Sequence, residues 1–347
     1  MDFIQSPDFV DPEGRTVLLN CDVIEGMRRI ADASVDLVLT SPPYWNAIQY
    51  DGNEALLDQT YEDYIEWLGR VWVESFRVLR PNGKLVINTP IMPVPKAIIN
   101  QTPRHIKNIS FDIENWINNK TEFYRFSMFI WQKQTSKMMF GSYPFPPNIF
   151  ENNTIEFMAV YVKPGNAKSI PHPVKDANKL LQKEWIDLAQ QIWFMYPANV
   201  KREFHHPAPF PQKLPARFMK MYTFGAAEGY DGDVVLDPFN GAGTTTAVAR
   251  MLKRRSIGIE LSSEYHRIAK RRSEHTLWGQ DLNWLVGRPA YPSSDALDNM
   301  RLEMPDATKA AGKEKAEKKH KRKTYGRGLG AVEPTQTDMF VGKETDE

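Results

Sequence analysis

The sequence predicts an α/β fold: a mostly parallel β-sheet with helices on both faces. Two observations carry that reading. Short β-branched runs alternate with stretches of helical apolar period, and two of the runs lead straight into loops of unusual Pro or Gly content. The composition agrees, since 41% hydrophobic and 25% charged residues describe an ordinary globule. At 347 residues the chain has room for roughly two domains of ~150 residues, so it needs no disulfide or metal staple.

In chain order, alternation places strands at 16–20, 35–40, 84–88, 127–132, 156–162, 233–237 and 256–260. Apolar residues at helical spacing place helices at 23–31, 61–79, 214–224, 244–253 and 263–273. The stretch 91–122, rich in Pro and Asn, reads as a long excursion over the sheet. A second irregular region, 164–211, interrupts the rhythm and holds Trp185, Trp193, Phe194 and Tyr196. The i to i+8 spacing of Trp185 and Trp193 makes these four a local core rather than base contacts. Beyond about Trp284 the periodicity fades, and 307–330 is a Lys-rich tract that cannot bury a core.

Charge and cysteine content narrow the function. The 44 Lys+Arg against 43 Asp+Glu exclude a uniformly basic protein, but the balance is an average over unlike parts. Nine bases face two acids in 307–330, and nine face four in 163–217. A nucleic-acid partner is therefore open at those two places. Lys318, Lys319, Lys321, Arg322 and Lys323 in the tail are either solvated charge or a hold on a phosphate backbone. Cys21, the single cysteine, permits neither a disulfide nor a Cys-based zinc cage and reads as a small buried hydrophobe. His205 and His206 are adjacent and face apart, so a loop role is expected and no metal site. No apolar run approaches the ~20 residues of a membrane span, and the N-terminus carries acids where a signal peptide carries bases, so the expected compartment is the cytoplasm.

Two loops carry candidate chemistry. Strand 35–40 runs into Ser41-Pro42-Pro43-Tyr44-Trp45, and the carboxyl ends of parallel strands are where α/β sheets bind ligands. Two prolines remove two N–H donors and leave a rigid loop that displays acceptors. The Ser41 hydroxyl and the Pro42 carbonyl suit a substrate amine, and Tyr44 offers a ring on which a base can stack. The bland alternative is a turn with Tyr44 and Trp45 packed in the core. The second loop, Asp237-Pro238-Phe239-Asn240-Gly241-Ala242-Gly243-Thr244-Thr245, has glycines that permit positive φ and close ligand approach ahead of a helix N-terminus. Nineteen residues beyond Gly241 the next strand ends in Glu260, at the spacing where an acid can bind ribose hydroxyls. The pattern points to an adenosine-containing cofactor without separating a dinucleotide from S-adenosyl-L-methionine.

Together these residues resemble the amino-directed DNA methyltransferases, which methylate adenine-N6 or cytosine-N4. Thr40-Ser41-Pro42-Pro43-Tyr44-Trp45 is similar to the family's catalytic motif, and the 237–245 loop to its cofactor motif. His206-Pro207-Ala208-Pro209-Phe210-Pro211 with Leu214-Pro215 is similar to the segment that precedes the cofactor strand. The likeness extends to Asn20-Cys21-Asp22, Trp131-Gln132-Lys133 and Glu156, and covers most of 16–275. With the catalytic half first, the motif order resembles the circularly permuted order of the beta subgroup.

The resemblance implies a Rossmann-like S-adenosylmethionine-dependent methyltransferase sheet with an inserted target-recognition region. It divides the chain into a catalytic half (1–163), a target-recognition region (164–205), a cofactor-binding half (206–285) and a Lys-rich tail expected to be disordered (286–347). It assigns catalysis to Ser41, Pro42, Pro43 and Tyr44. The cofactor S-adenosyl-L-methionine falls to Asp22, Asp237, Pro238, Phe239, Gly241, Gly243, Thr244 and Glu260, with Glu260 on the ribose and Asp22 on the adenine amine. No metal is implied. The expected partner is double-stranded DNA in a prokaryotic or phage setting, with a cognate restriction endonuclease as the protein to look for. Family members with Ser at the first loop position, especially before Tyr-Trp, are mostly cytosine-N4 enzymes, so cytosine is favoured, with adenine-N6 as the alternative. An RNA or protein methyltransferase and a non-catalytic DNA-binding subunit are the other readings.

Overall fold

Alternating side chains on the central strands build two apolar layers, one on each face of a single sheet. The computed structural model describes residues 1, 3–45, 59–93, 106–133, 146, 151, 153–198 and 210–280, all within one compact unit, Met1–Ala290. The His205-His206 pair, the 206–209 part of the Pro-rich segment and the Lys-rich tract lie outside the described residues. The elements are β1 (Phe9–Val10), β2 (Thr16–Leu19), α1 (Val23–Arg28), β3 (Val35–Thr40), α2 (Tyr61–Val78), β4 (Leu79–Pro93), β5 (Ile106–Asn108), α3 (Ile109–Lys120), β6 (Tyr124–Lys133) and β7 (Ile155–Val162). They continue with α4 (His172–Ala177), α5 (Gln182–Leu188), β8 (Ile192–Met195), α6 (Lys213–Tyr222), β9 (Val234–Asp237), α7 (Thr244–Met251), β10 (Arg255–Ile259) and α8 (Ser263–His275).

The sheet runs β1-β2-β10-β9-β3-β4-β7-β6-β8, with β5 paired to β4. From β2 to β4 every neighbour is parallel, and β7 runs antiparallel to both β4 and β6. Period-2 alternation sorts the core. Leu85, Ile87, Ala159, Tyr161, Val234 and Leu236 meet α1, α2 and α3 on one face. Val86, Met158, Val160 and Val235 meet α6 and α7 on the other. Helix α2 starts where Thr60 Oγ1 accepts from the Asp63 N–H. It is anchored by the fully buried Tyr64, Leu68 and Trp72 at four-residue spacing, each worth about 2 kcal/mol of burial.

All seven expected strands and all five expected helices are present, within a few residues at their ends except for β4, which runs from Leu79 to Pro93 and so extends well past the expected 84–88 on both sides. Two regions differ. The 91–122 stretch, expected as a long excursion over the sheet, contains β5 and α3 among its described residues. The apolar stripe Ile109, Ile113 and Ile117 is buried, and Asn108 Oδ1 caps the helix by accepting from the Phe111 N–H. Flanking Pro and Asn masked that period. The 164–211 region is likewise built, from α4, α5 and the edge strand β8, which pairs parallel with β6.

The aromatic cluster in this second region is also corrected. The strand period of β8 buries Trp193 and Met195 and turns Ile192 and Phe194 outward. Trp185, Phe194 and Tyr196 are 66%, 67% and 73% exposed, so only Trp193 belongs to a core. The positive charge of 163–217 is partly spent inside. Lys163 donates to the Phe76 and Leu79 carbonyls, Lys168 pairs with Asp36 and Asp233, and buried Arg217 pairs with Asp187. Lys175, Lys179 and Lys183 stay exposed.

Candidate active site at the reversal of strand order

Strand order reverses between β9 and β3. From β9 the chain passes through α7 to β10 on one side, whereas β3 leads through α2 to β4 on the other. Diverging connections open a crevice above the carboxyl ends of the two strands, the general ligand position in open α/β sheets. Both candidate loops leave there. Along the parallel neighbours β2, β10, β9 and β3 stand Asp22, Glu260, the 237–245 loop and Ser41–Tyr44, a row of about 14 Å at ~4.8 Å per strand step. Residues far apart in sequence are thus brought into one line.

A buried carboxylate ties the loops together. Asp237 accepts from Thr40 Oγ1 at 2.7 Å and Thr245 Oγ1 at 2.6 Å, and from the Phe239 N–H at 3.1 Å. Burial pushes its carboxyl up to about 6, against the opposing pull of those hydrogen bonds. Its side chain is turned inward as a strut between the end of β3 and the start of α7. A second tie is aromatic. Ring centroids step from Trp45 to Tyr61 (5.2 Å), Tyr64 (6.1 Å), Trp67 (6.4 Å) and Phe239 (5.7 Å), so α2 bridges the loops along one face. The three-residue recurrence of Tyr61, Tyr64 and Trp67 was the available signal for this bridge, which the sequence reading missed.

In the Pro-Pro loop, Pro42, Pro43 and Trp45 are buried, while Ser41 and Tyr44 are half-buried. Tyr64 Oη donates to the Pro43 carbonyl at 2.9 Å, and the Trp45 indole donates to the Gln59 carbonyl at 2.9 Å. The loop is therefore held from behind. Ser41 Oγ donates to the Asn88 carbonyl at 3.2 Å and lies 3.3 Å from Tyr44 Oη.

The glycine loop has the conformation its composition implies, with φ of +50° at Gly241 and +77° at Gly243. Gly243 heads α7, and no side chain caps it. Pro238 and Thr244 are buried, and Thr244 Oγ1 accepts from Arg272 at 3.1 Å. Glu260 closes the loop from the next strand: Oε2 accepts from the Gly241 N–H at 2.7 Å and Oε1 from the Ser262 N–H at 2.8 Å. Burial raises its carboxyl above the usual range, while these N–H groups pull the other way. Asp22, exposed, caps α1 by accepting from the Ile24 N–H at 2.9 Å.

Gly258 and Asn240 were not singled out from sequence. A Cβ on Gly258 would stand 2.5 Å from Asn240 Nδ2, so this strand glycine lets the loop lie against β10. Glycine inside a strand is the signal that marks such an approach. Asn240 is buried, and its Nδ2 has no partner among the described residues. The positive-φ glycines, the helix start without a side-chain cap, the acids Glu260 and Asp22 at the ends of neighbouring strands and this orphan donor form a cradle that fits an adenosyl cofactor. Among the described residues no group of His, Cys, Asp and Glu could hold a metal ion, and no helix is long and apolar enough to cross a membrane.

A family model described as DNA methylase matches residues 35–271. The Type II methyltransferase M.MjaI of Methanocaldococcus jannaschii is 31% identical over 268 residues, spanning 68% of this chain and 84% of the relative. The DNA adenine methyltransferase YhdJ of Escherichia coli (strain K12) is 28% identical over 273 residues, spanning 75% and 83%. Among solved structures, TTHA0409 of Thermus thermophilus in complex with S-adenosyl-L-methionine superposes with a TM-score of 0.61 at 31% identity, covering 75% of this chain and 93% of that one.

Proposed function

The chain belongs to the DNA methylase family that its residues 35–271 match, and from that membership we propose a site-specific DNA methyltransferase that uses S-adenosyl-L-methionine and methylates cytosine at N4. The observation that carries this reading is the meeting of the Ser41–Tyr44 and 237–245 loops above β3 and β9, joined through Asp237.

Bound S-adenosyl-L-methionine supplies an electrophilic sulfonium methyl group. The protein's part is to hold it and to aim the acceptor. Glu260 and Asp22 take the ribose hydroxyls and the adenine amine at the ends of β10 and β2, and Asp237, Pro238, Phe239, Gly241, Gly243 and Thr244 shape the cradle for the methionine end. With the Pro43 carbonyl committed to Tyr64, Ser41 Oγ and the Pro42 carbonyl accept the N–H groups of a flipped base stacked on Tyr44. These bonds draw density onto a nitrogen otherwise delocalised into its ring and orient its lone pair toward the methyl group. Positioning and electrostatics account for the rate, with no covalent enzyme intermediate.

Ser at position 41, followed by Tyr44-Trp45, favours cytosine by family resemblance, and adenine-N6 is the second reading because YhdJ is named an adenine methyltransferase. The 164–205 segment, which leaves Phe194 and Tyr196 exposed, is assigned to target recognition. Tritiated methyl transfer to duplex DNA followed by nucleoside analysis tests the proposal. N4-methylcytosine is expected. Label in N6-methyladenine overturns the choice of base, and label only at cytosine C5, or none, overturns the reaction.

A further inference from the structure

Beneath the Ser41 loop lies a polar cluster that the mechanism leaves without a role. Glu156 on β7 is almost fully buried, and each of its oxygens accepts. Oε1 takes Lys133 Nζ at 3.0 Å. Oε2 takes Asn88 Nδ2 at 2.6 Å and Tyr44 Oη at 3.4 Å. Asn88 supplies two contacts, since its carbonyl also accepts from Ser41 Oγ at 3.2 Å. The register explains the convergence: Glu156 lies opposite Pro90 of β4 and Trp131 of β6, which brings Asn88 and Lys133 to its flanks.

The direction of each hydrogen bond follows from what the groups can do. A carboxylate paired to an ammonium only accepts. Tyr44 has one hydroxyl proton, and Glu156 takes it, so Tyr44 Oη meets Ser41 as an acceptor. The Asn88 carbonyl is an acceptor as well. Ser41's single proton is thus drawn to protein acceptors on its inner side, and its lone pairs are left for the incoming amine. We propose that Glu156, with Lys133 as its counter-ion, is a positioning residue that sets Ser41 as a hydrogen-bond acceptor toward the base. The inference rests on the assignment of Ser41 to the substrate amine.

Glu156→Gln reverses the polarity without emptying the site. Lys133 has only donors, so the glutamine oxygen faces it and the amide nitrogen faces Asn88 and Tyr44. Asn88 answers by turning over its amide, whose Oδ1 has no partner among the described residues. Tyr44 Oη now accepts and directs its proton at Ser41 Oγ, spending a lone pair that the substrate needs. The variant therefore folds, binds S-adenosyl-L-methionine as the wild type does, and loses about tenfold in single-turnover methylation of duplex DNA, the scale of one misdirected hydrogen bond in the reacting complex.

The decisive measurement is the cycle with Tyr44→Phe, a change that removes the redirected proton. Glu156→Gln costs about tenfold when Tyr44 is present and less than about twofold when residue 44 is Phe. Equal losses in both backgrounds overturn the proposal. So does a fall in cofactor affinity that matches the fall in rate, and so does an unfolded Glu156→Gln protein, because the one donor the reversed network leaves unpaired, Asn88 Nδ2 in the place of the partnerless Oδ1, costs less than the stability of a folded domain. Wild-type turnover keeps the two claims apart: a wild type that transfers no methyl to DNA overturns the functional reading, whereas a normal wild-type rate with an additive cycle overturns this inference alone.

Discussion

Glu260→Gln is the mildest change that tests how the glycine loop is held. The wild-type carboxylate uses both oxygens, Oε2 on the Gly241 N–H at 2.7 Å and Oε1 on the Ser262 N–H at 2.8 Å. Glutamine offers one acceptor and sets an amide donor against the other N–H. Two donors cannot share that contact, so one charge-assisted bond is lost and a backbone N–H is left unsatisfied. Such a loss costs about 2 kcal/mol, or ~30-fold in an equilibrium constant at 1.4 kcal/mol per tenfold. The expected result is S-adenosyl-L-methionine binding weakened about 30-fold in calorimetry, less than in Glu260→Ala, which loses both acceptors, with turnover at saturating cofactor largely kept. Cofactor affinity within about twofold of wild type in the glutamine variant would refute the claim that this acid holds the loop through two acceptors.

Three further outcomes are expected. Gly258→Ala drives a methyl group to within 2.5 Å of the Asn240 amide, an overpacking cost of about 1–3 kcal/mol; unchanged cofactor affinity and unchanged melting temperature would show that the loop does not depend on this contact. Ser41→Ala lowers single-turnover methylation about a hundredfold and leaves cofactor affinity alone, and the role of the loop fails if affinity falls while turnover at saturation survives. With its carboxyl pushed up to about 6, above the ~3.9 of an unfolded chain, Asp237 contributes stability that is fully present below the lower value and is lost as pH rises through the higher one. Its share is at most about 3 kcal/mol over roughly two pH units. Denaturant titrations at about pH 4 and about pH 7 should therefore differ less between the two conditions in Asp237→Asn than in wild type, and equal differences would remove Asp237 as the source.

Much of the sheet was legible because its signals are local. The runs 35–40 and 233–237 alternate or stay apolar within a few residues, and the helices after 61 and 244 repeat at helical period. Helix α3 was not legible because the Pro and Asn around Ile109, Ile113 and Ile117 obscure their helical spacing. Edge strand β8 escaped because four residues carry too little pattern to separate strand from helix. Once Trp193 lies in a strand, its neighbours Phe194 and Ile192 must face the other way.

The sequence by itself determined the two loops and their intrinsic shapes. Prolines at 42 and 43 remove donors, and glycines at 241 and 243 admit left-handed backbone, wherever the chain places them. The tertiary structure alone decided that these loops meet, through a bond between Thr40 and Asp237 across 197 positions. It decided too that Lys168 and Arg217 spend their charge on internal acids and that Glu156 and Lys133 lie under Ser41. Backbone preference is set by a residue and its immediate neighbours. The direction of a hydrogen bond and the cost of a buried charge depend on groups brought close only when the strands take their places in the sheet.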